Sequence, residues 1–517
     1  MAVGTPDIKS IAFVSLGCPK NLVDSEKMLG TLTESGLEVI SDHDEADAII
    51  VNTCGFVEAS KEESLEVIRE AIQRKGKSKA SRVVVAGCLV QRHRAKLLEW
   101  APGIDAMIGV FDRDHVLEAV HGTKPQRGTL DQEADRPKYW IAGNALQAAN
   151  ERGIDTVGLT VNGADGKGVG YFEDDRARLR LTPRHWAYLR VSEGCNQKCA
   201  FCTIPSIRGK MRSKPIEDIL GDARALIADG CFELNLIGQD TTSYGYDIGY
   251  DKGLVGMLES LDAVMEEAGG GWARLMYAYP TYFDDSMIDA IARLRNIVKY
   301  IDIPLQHASD AMLTAMRRNV TAEQQRTLIE KLRERIPGMA IRTTLITGFP
   351  GETEQDHNEL MQFLQDMEFD ALGVFRYSRE AGTPAGTMDL DPALQVPEET
   401  KLKRERDLML LQQEIAFSNA KYLAEERVQM DILIDGPASE SPEVPQGVQS
   451  GSETHFYLGR AYHQAPQIDS LTYVTASRHL SPGELIRCTI VGANEYDLVA
   501  QPTEELQRGL PLPVVQQ

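Results

Sequence analysis

Three apolar runs, Ile11 to Cys18, Asp47 to Cys54 and Arg82 to Cys88, each stop at a cysteine. The three cysteines are 36 and 34 residues apart, the length of one strand and one helix with their turns. Segments of helical spacing, Asp24 to Gly36 and Ala59 to Arg74, lie between the runs. This alternation predicts a parallel sheet with right-handed crossovers. In an open parallel sheet, ligands bind outside the carboxyl ends of the strands. Cys18, Cys54 and Cys88 are therefore expected to converge on one edge. The alternative is three unrelated buried thiols, a common fate of free cysteine. Repetition at one structural position argues against it.

A second strand–helix series starts at Trp186. Its six strand candidates are Ala187 to Ser192, Glu233 to Gly238, Ala273 to Ala278, Lys299 to Pro304, Ile341 to Thr347 and Ala371 to Tyr377. Six sequential parallel units predict an open partial (β/α)6 barrel whose site lies at the carboxyl ends of its strands. Glu398 to Glu426 is charged and helix-forming, without Gly or Pro, and leads to the last domain. From Met430 the text turns to short strands divided by turns, the pattern of a small β-barrel. Gly436 to Thr454 reads as a disordered loop within it. The resulting division is an N-terminal open parallel α/β domain (9–122), a linker or insertion (123–183), a central barrel (184–415) and a last β domain (416–506).

No apolar run approaches the ~18 residues that span a bilayer. The start, MAVGTPDIKS, lacks the basic and apolar regions of a signal peptide. A cytoplasmic protein with no membrane partner is the expectation. In a reducing compartment the eight cysteines are ligands or buried thiols rather than disulfides. Cys231 and Cys488 sit inside apolar runs and read as core thiols.

The densest group is Cys195-x3-Cys199-x2-Cys202, in the loop after a strand candidate. Three thiolates within eight residues can bind three irons of a cubane cluster. Such clusters usually take four cysteines, and no fourth is near in sequence, so one iron stays open for another ligand. Structural zinc fits poorly, because it wants four closed ligands.

This spacing, with Phe201 before the last cysteine, resembles the radical S-adenosylmethionine (SAM) superfamily. Further stretches, Ser15 to Gly30, Val51 to Ser64 and Ala86 to Arg92, resemble the N-terminal domain of the methylthiotransferases, and the C-terminal strands resemble a TRAM domain. The resemblance implies two [4Fe–4S] clusters, one on Cys195, Cys199 and Cys202 and an auxiliary one on Cys18, Cys54 and Cys88, with SAM as the other cofactor. It implies that the open iron of the first cluster chelates SAM, whose reductive cleavage gives a 5′-deoxyadenosyl radical. A methylthio group held at the second cluster then passes to a substrate carbon. No catalytic residue stands out beyond the cluster ligands.

Two substrate classes fit the family. One is an adenosine in tRNA. The other is the β-carbon of an aspartate in the twelfth protein of the small ribosomal subunit. Gly17 to Glu26, Ala187 to Ser213 and Leu236 to Gly245 resemble the ribosomal-protein branch. Charge points the same way: from Glu425 to Glu505 there are 13 acidic residues, four Arg and no Lys. An RNA-binding barrel should be basic, whereas an acidic one suits a lysine-rich ribosomal protein. The expected partners are that protein or the assembled subunit, and a reductant protein, with tRNA as the alternative. A non-catalytic Fe–S protein is the rival from another class. It would be expected to carry a full ligand set. The net charge of −22 speaks against general phosphate binding.

At the predicted strand ends stand Gln239, Asp240, His307, Arg342, Thr344, Gly348, Gly351, Glu352 and Tyr377. The resemblance makes Gln239, Asp240, His307, Arg342, Thr344, Gly348 and Glu352 the candidates for the SAM side. The superfamily often has Gly-Gly-Glu where Gly238-Gln239-Asp240 stands here. His307 reads equally as a hydrogen-bonded structural histidine. Gly348 to Glu352 reads equally as a tight turn before a helix.

Overall fold

The computed structural model describes residues 8–94, 96–122, 140–141, 175, 177–439 and 454–508. Most of the 123–183 stretch and most of the Gly436 to Thr454 loop lie outside them.

The first sheet consists of β1 (Ser10–Ser15), β2 (Glu38–Val39), β3 (Ala48–Thr53), β4 (Arg82–Gly87), β5 (Ala106–Ile108) and β6 (Trp140–Ile141). Its order is β2-β1-β3-β4-β5-β6, and every pair is parallel. The apolar runs are near-continuous because both faces are covered. Ile49, Val51, Val83 and Val85 pack toward helix Glu58–Arg74, through Leu65 and Ile68. Ile50 and Val84 pack the other way, toward Met28 and Leu29 of helix Pro19–Glu34. The register decides where the strands stop. Ser15 lies opposite Asn52, and Asn52 opposite Ala86, so the three cysteine-tipped strands end level. The short strands β2, β5 and β6 had no run long enough to announce them.

The central sheet contains β7 (Trp186–Arg190), β10 (Glu233–Ile237), β11 (Trp272–Leu275), β12 (Ile297–Asp302), β13 (Ala340–Thr347) and β14 (Ala371–Arg376). The order is β14-β13-β12-β11-β10-β7, all parallel and without closure. The run from Ala187 to Ser192 does not continue as one strand. It breaks after Arg190, and β8 (Ser192–Glu193) pairs antiparallel with β9 (Arg212–Ser213). This ribbon brackets the loop that carries Cys195, Cys199 and Cys202.

The last sheet is a closed barrel of β15 (Gln429–Pro437), β16 (His455–Ala461), β17 (Thr472–Ala476), β18 (Leu485–Asn494) and β19 (Asp497–Pro502). Strand β15 carries on through Gly436, where the expected loop begins, by way of a bulge at Ile434/Gly436. Helix Glu398–Glu425 joins the last two units. Leu408 packs in the core of the central sheet, and Ala420 in the core of the small barrel. Position 415 therefore falls inside a helix shared by both. Cys231 and Cys488 are buried in those two cores.

Candidate metal centres

The loop Val191–Cys202 leaves β7 through Gly194, whose φ is +76°. A Cβ there would strike the carbonyl oxygens of Gly209 and Lys210, so only glycine lets the two chain passes meet. Cys195 N–H donates to Gly209 O at 3.2 Å, and Ala200 N–H to Met316 O at 2.9 Å. Ala200 and Phe201 pack with Met312, Met316, Phe349 and Tyr377. These contacts fix the backbone on which three half-buried thiols stand. Donors surround the sulfurs: Gln197 N–H to Cys195 Sγ, Ile204 N–H to Cys202 Sγ and Arg318 Nη1 to Cys199 Sγ, each at 3.4 Å. Burial pushes the Cys195 and Cys202 thiols up to about 12, and neighbouring thiols in the set add to the rise. Removing such protons is what a bound cation does.

Asp240 steadies this loop. It accepts from Gln197 Nε2 and from Ser243 Oγ, both at 2.8 Å. Gln239 Nε2 donates to Glu193 Oε1 at 3.2 Å, while its own buried Oε1 has no partner. Arg342 and Thr344 stand on alternate positions of β13 beside Gly373 of β14. The Glu352 carboxylate is spent on the turn before it. It accepts from the Gly348 and Phe349 N–H groups and from Thr347 Oγ1, with Arg404 at 3.3 Å. His307 is fully buried and takes the Ser309 N–H on Nδ1 at 3.0 Å; its Nε2 has no hydrogen-bond partner. Tyr377 lies edge-on to Phe349, at 5.3 Å between ring centroids.

The second triplet is built by topology. Cys18 caps helix Pro19–Glu34 and is exposed; Cys54 follows β3 and Cys88 follows β4, both buried. Gly17, with φ +94°, lets the first loop lie against the second: a Cβ there would be 2.8 Å from Cys54 Cβ. Asn21 fastens the three loops together. Its Nδ2 donates to Leu16 O at 3.0 Å and Thr53 O at 2.8 Å, and its Oδ1 accepts from Cys88 Sγ at 3.4 Å. Burial pushes Cys88 up to about 12, with Cys18 and Cys54 adding to the rise and Arg208 opposing it. Burial raises Cys54 as well.

The two triplets share one seam. Thr203, next to Cys202, donates to Phe56 O at 3.4 Å, two residues past Cys54. Arg208, at the end of the short helix Ile204–Arg208 that follows the first triplet, donates to Cys88 Sγ at 3.4 Å, Asn21 Oδ1 at 2.6 Å and Asp24 Oδ2 at 3.0 Å. Its other nitrogen reaches Glu193 Oε1 at 2.8 Å. Arg190 reaches Asp24 at 2.9 Å, and Arg113 contacts the same carboxylate. Burial works against the charge on Glu193, but Arg208, Arg190 and Arg113 hold its carboxyl well below the usual range. Nearby, Lys20 lays its ammonium 3.0 Å from the centre of the Tyr277 ring. Arg92 and Glu380 close the seam at its rim, at 2.6 Å. Arg208 was not singled out from the sequence, and Lys20 stood out only within Pro19-Lys20-Asn21, part of the stretch that resembles the ribosomal-protein branch. Each gains its role only when two domains dock.

Among the described residues no three His, Cys, Asp or Glu side chains meet closely enough to hold a single metal ion. A cubane asks for something else. Each thiolate takes a separate iron, so the sulfurs must surround a body rather than meet at a point. Two sets of three softly basic thiols, ringed by N–H and guanidinium donors, fit that requirement and match the ligand preference of iron–sulfur clusters.

Known proteins share these features. Residues 10–109 match the model described as "Uncharacterized protein family UPF0004", residues 189–364 the radical SAM superfamily and residues 429–502 the TRAM domain. A protein of Desulforamulus reducens, ribosomal protein uS12 methylthiotransferase RimO, is 40% identical over 95% of this chain and 99% of its own length. The RimO of Anaeromyxobacter sp. (strain Fw109-5) is 39% identical over 96% of this chain and 95% of its own. The chain belongs to the RimO methylthiotransferase family. RimO of Geobacter sulfurreducens, at 37% identity over 95% and 98%, agrees. The solved radical SAM methyltransferase TsrM of Kitasatospora setae shares the fold, with a TM-score of 0.50 and 15% identity over 73% of this chain and 74% of its own. As a RimO-family member the chain is a radical SAM methylthiotransferase that uses SAM and [4Fe–4S] clusters. Among the described residues no helix is long and apolar enough to cross a membrane.

Proposed function

We propose that the chain attaches a methylthio group to the β-carbon of an aspartate in ribosomal protein uS12, the protein named in its relatives' descriptions. The observation that carries this reading is the facing of two cysteine triplets across one seam. Arg208 ends the short helix that follows one and is hydrogen-bonded to a thiol of the other. Cys195, Cys199 and Cys202 hold the first cluster in this reading, and Cys18, Cys54 and Cys88 the auxiliary one. Once bound, the clusters supply the electron that cleaves SAM and the place where sulfur waits for transfer.

The protein's share is positioning. Asp240 and Gln197 keep the first cysteine loop in shape. Gln239, Arg342 and Thr344 line the SAM side at the strand ends. The Glu352 carboxylate and Gly348 hold the turn beside them, next to buried His307. The N-terminal domain covers the mouth of the barrel and keeps water from the radical. The acidic last domain suits a basic ribosomal protein, free or in the assembled subunit, in the cytoplasm. A separate reductant protein delivers electrons.

The test is an anaerobic assay of the reconstituted protein with SAM and a reductant, offered uS12 and, separately, unmodified tRNA. A methylthio mass increment on one aspartate peptide, together with 5′-deoxyadenosine, is the expected result. An increment on tRNA alone would overturn the substrate assignment.

A further inference from the structure

Lys20 is the second residue of helix Pro19–Glu34, two positions after Cys18. It is only 4% exposed. An ammonium that deep normally has a carboxylate against it, because burying a lone charge is costly. Among the described residues Lys20 has no ion pair and no hydrogen bond to a carboxylate. Its ammonium lies over the face of Tyr277, 3.0 Å from the ring centre.

The surroundings are built to hold this arrangement. Tyr277 adopts φ +60°, a costly conformation for a bulky aromatic residue. It is pinned there from both sides: its N–H donates to Asp302 Oδ2 at 3.2 Å, and its carbonyl accepts from Thr241 N–H at 3.1 Å. The carboxylates around Lys20 are engaged elsewhere. Glu193 belongs to Arg208 and Arg190. Asp302 takes the Tyr277 N–H, and Asp469 lies 3.4 Å from Arg342 and accepts the Tyr300 hydroxyl at 2.8 Å. The first N–H groups of helix Pro19–Glu34 have no intrahelical partners, and Cys18 offers no side-chain cap. A cation and a helix N-terminus thus lie together where the second cysteine triplet meets the barrel.

We propose that Lys20, held by Tyr277 at the start of this helix, binds the side-chain carboxylate of the substrate aspartate and selects it against an amide. This rests on the functional reading above. The geometry suits the chemistry, since the carbon to be modified is one bond from that carboxylate. Anchoring the carboxylate two residues from Cys18 places that carbon beside the auxiliary site. Lys20 is then a specificity residue supplied by one domain to a pocket in another.

The experiment measures binding of uS12, and of uS12 with its modified aspartate changed to asparagine, to the anaerobically reconstituted holoenzyme in its native, Lys20→Met and Lys20→Arg forms. Iron content is matched before comparison. The native enzyme should prefer the aspartate form by about tenfold or more, the loss expected for a charge-assisted hydrogen bond. In Lys20→Met the preference should collapse to within about twofold, and Lys20→Arg should restore part of it. Equal binding of the two uS12 forms by the native enzyme would overturn the proposal without any variant needing to fold. So would an unchanged preference in Lys20→Met. Loss of SAM affinity with uS12 binding intact would place the carboxylate on the cofactor and also overturn it. Failure of the native enzyme to bind or modify uS12 at all would instead count against the functional reading itself.

Discussion

Cys195, Cys199 and Cys202 lie on eight consecutive residues, whereas Cys18, Cys54 and Cys88 span 71. The first set is made by one loop, and its shape depends on Gly194, the β8–β9 ribbon and the packing of Phe201. The second exists only because three parallel strands end level, and no local segment could form it alone. Its surroundings differ too. Arg318, which touches Cys199, also stacks on Tyr279 and donates to Pro304 O within the same domain. Arg208, which touches Cys88, comes from another domain and satisfies two buried carboxylates on the way. The difference teaches that one site is a property of a motif and the other a property of sheet topology, completed by docking.

Removing thiols should break the comparison most sharply. Cys195→Ala is expected to abolish SAM cleavage, a loss of at least ~1000-fold, or about 4 kcal/mol of barrier. Cys54→Ala should leave 5′-deoxyadenosine formation in place and abolish methylthio transfer. Parallel assays of both products check this, and equal loss of both in Cys54→Ala would erase the functional distinction between the sites.

Arg208→Met comes next, because it takes one guanidinium from buried Asp24 and Glu193, leaving Arg190 to both and Arg113 to Asp24. Breaking buried pairs of this kind costs about 3–5 kcal/mol. Arg318→Met leaves no carboxylate behind and should cost less, about 1–3 kcal/mol. Denaturant titration of the two variants, both purified without clusters, decides whether the ranking holds.

The docking of the small barrel supplies a pH test. Burial works against the charge on Asp435, but hydrogen bonds from His185, at 2.7 Å, and Arg460, at 2.8 Å, outweigh it and hold the carboxyl below its usual range. A depressed carboxylate stabilises the folded form above its unfolded value, about pH 4, and that stability is lost as pH falls through the folded value. Stability should therefore drop below about pH 4 in the native chain and less steeply in Asp435→Asn, as followed by thermal melting across pH. The smallest effect is expected from Thr203→Val. It removes one long hydrogen bond across the seam, at 3.4 Å, and should cost under about 1 kcal/mol.

Much of this layout is readable in the sequence. The six strands of the central sheet run in the order their apolar segments suggested, and the cysteine-tipped strands are neighbours. Those features are written in local periodicity, which a single sequence carries well. The rest is not, for a physical reason. Arg208 sits in Ile204–Arg208, a five-residue helix whose text reads as an ordinary helix end. Lys20 is legible only as part of Gly17 to Glu26, the stretch that resembles the ribosomal-protein branch, and nothing there shows that it is buried. Tyr277 was expected inside a strand, but β11 stops at Leu275 and the chain turns into a left-handed conformation there. Each of these depends on which domain faces which, and no spacing within one segment encodes that.

The Arg208 contact also sets an order in time. Cys88 leaves the ribosome 120 residues before the arginine that will face its sulfur. A nascent chain therefore displays Cys18, Cys54 and Cys88 as a finished sheet edge while Arg208 is still unmade. During that interval Asp24 has Arg113 beside it but not yet Arg208. Synthesis itself thus delays completion of the surroundings of this cysteine set until the barrel that supplies Arg208 has begun to form.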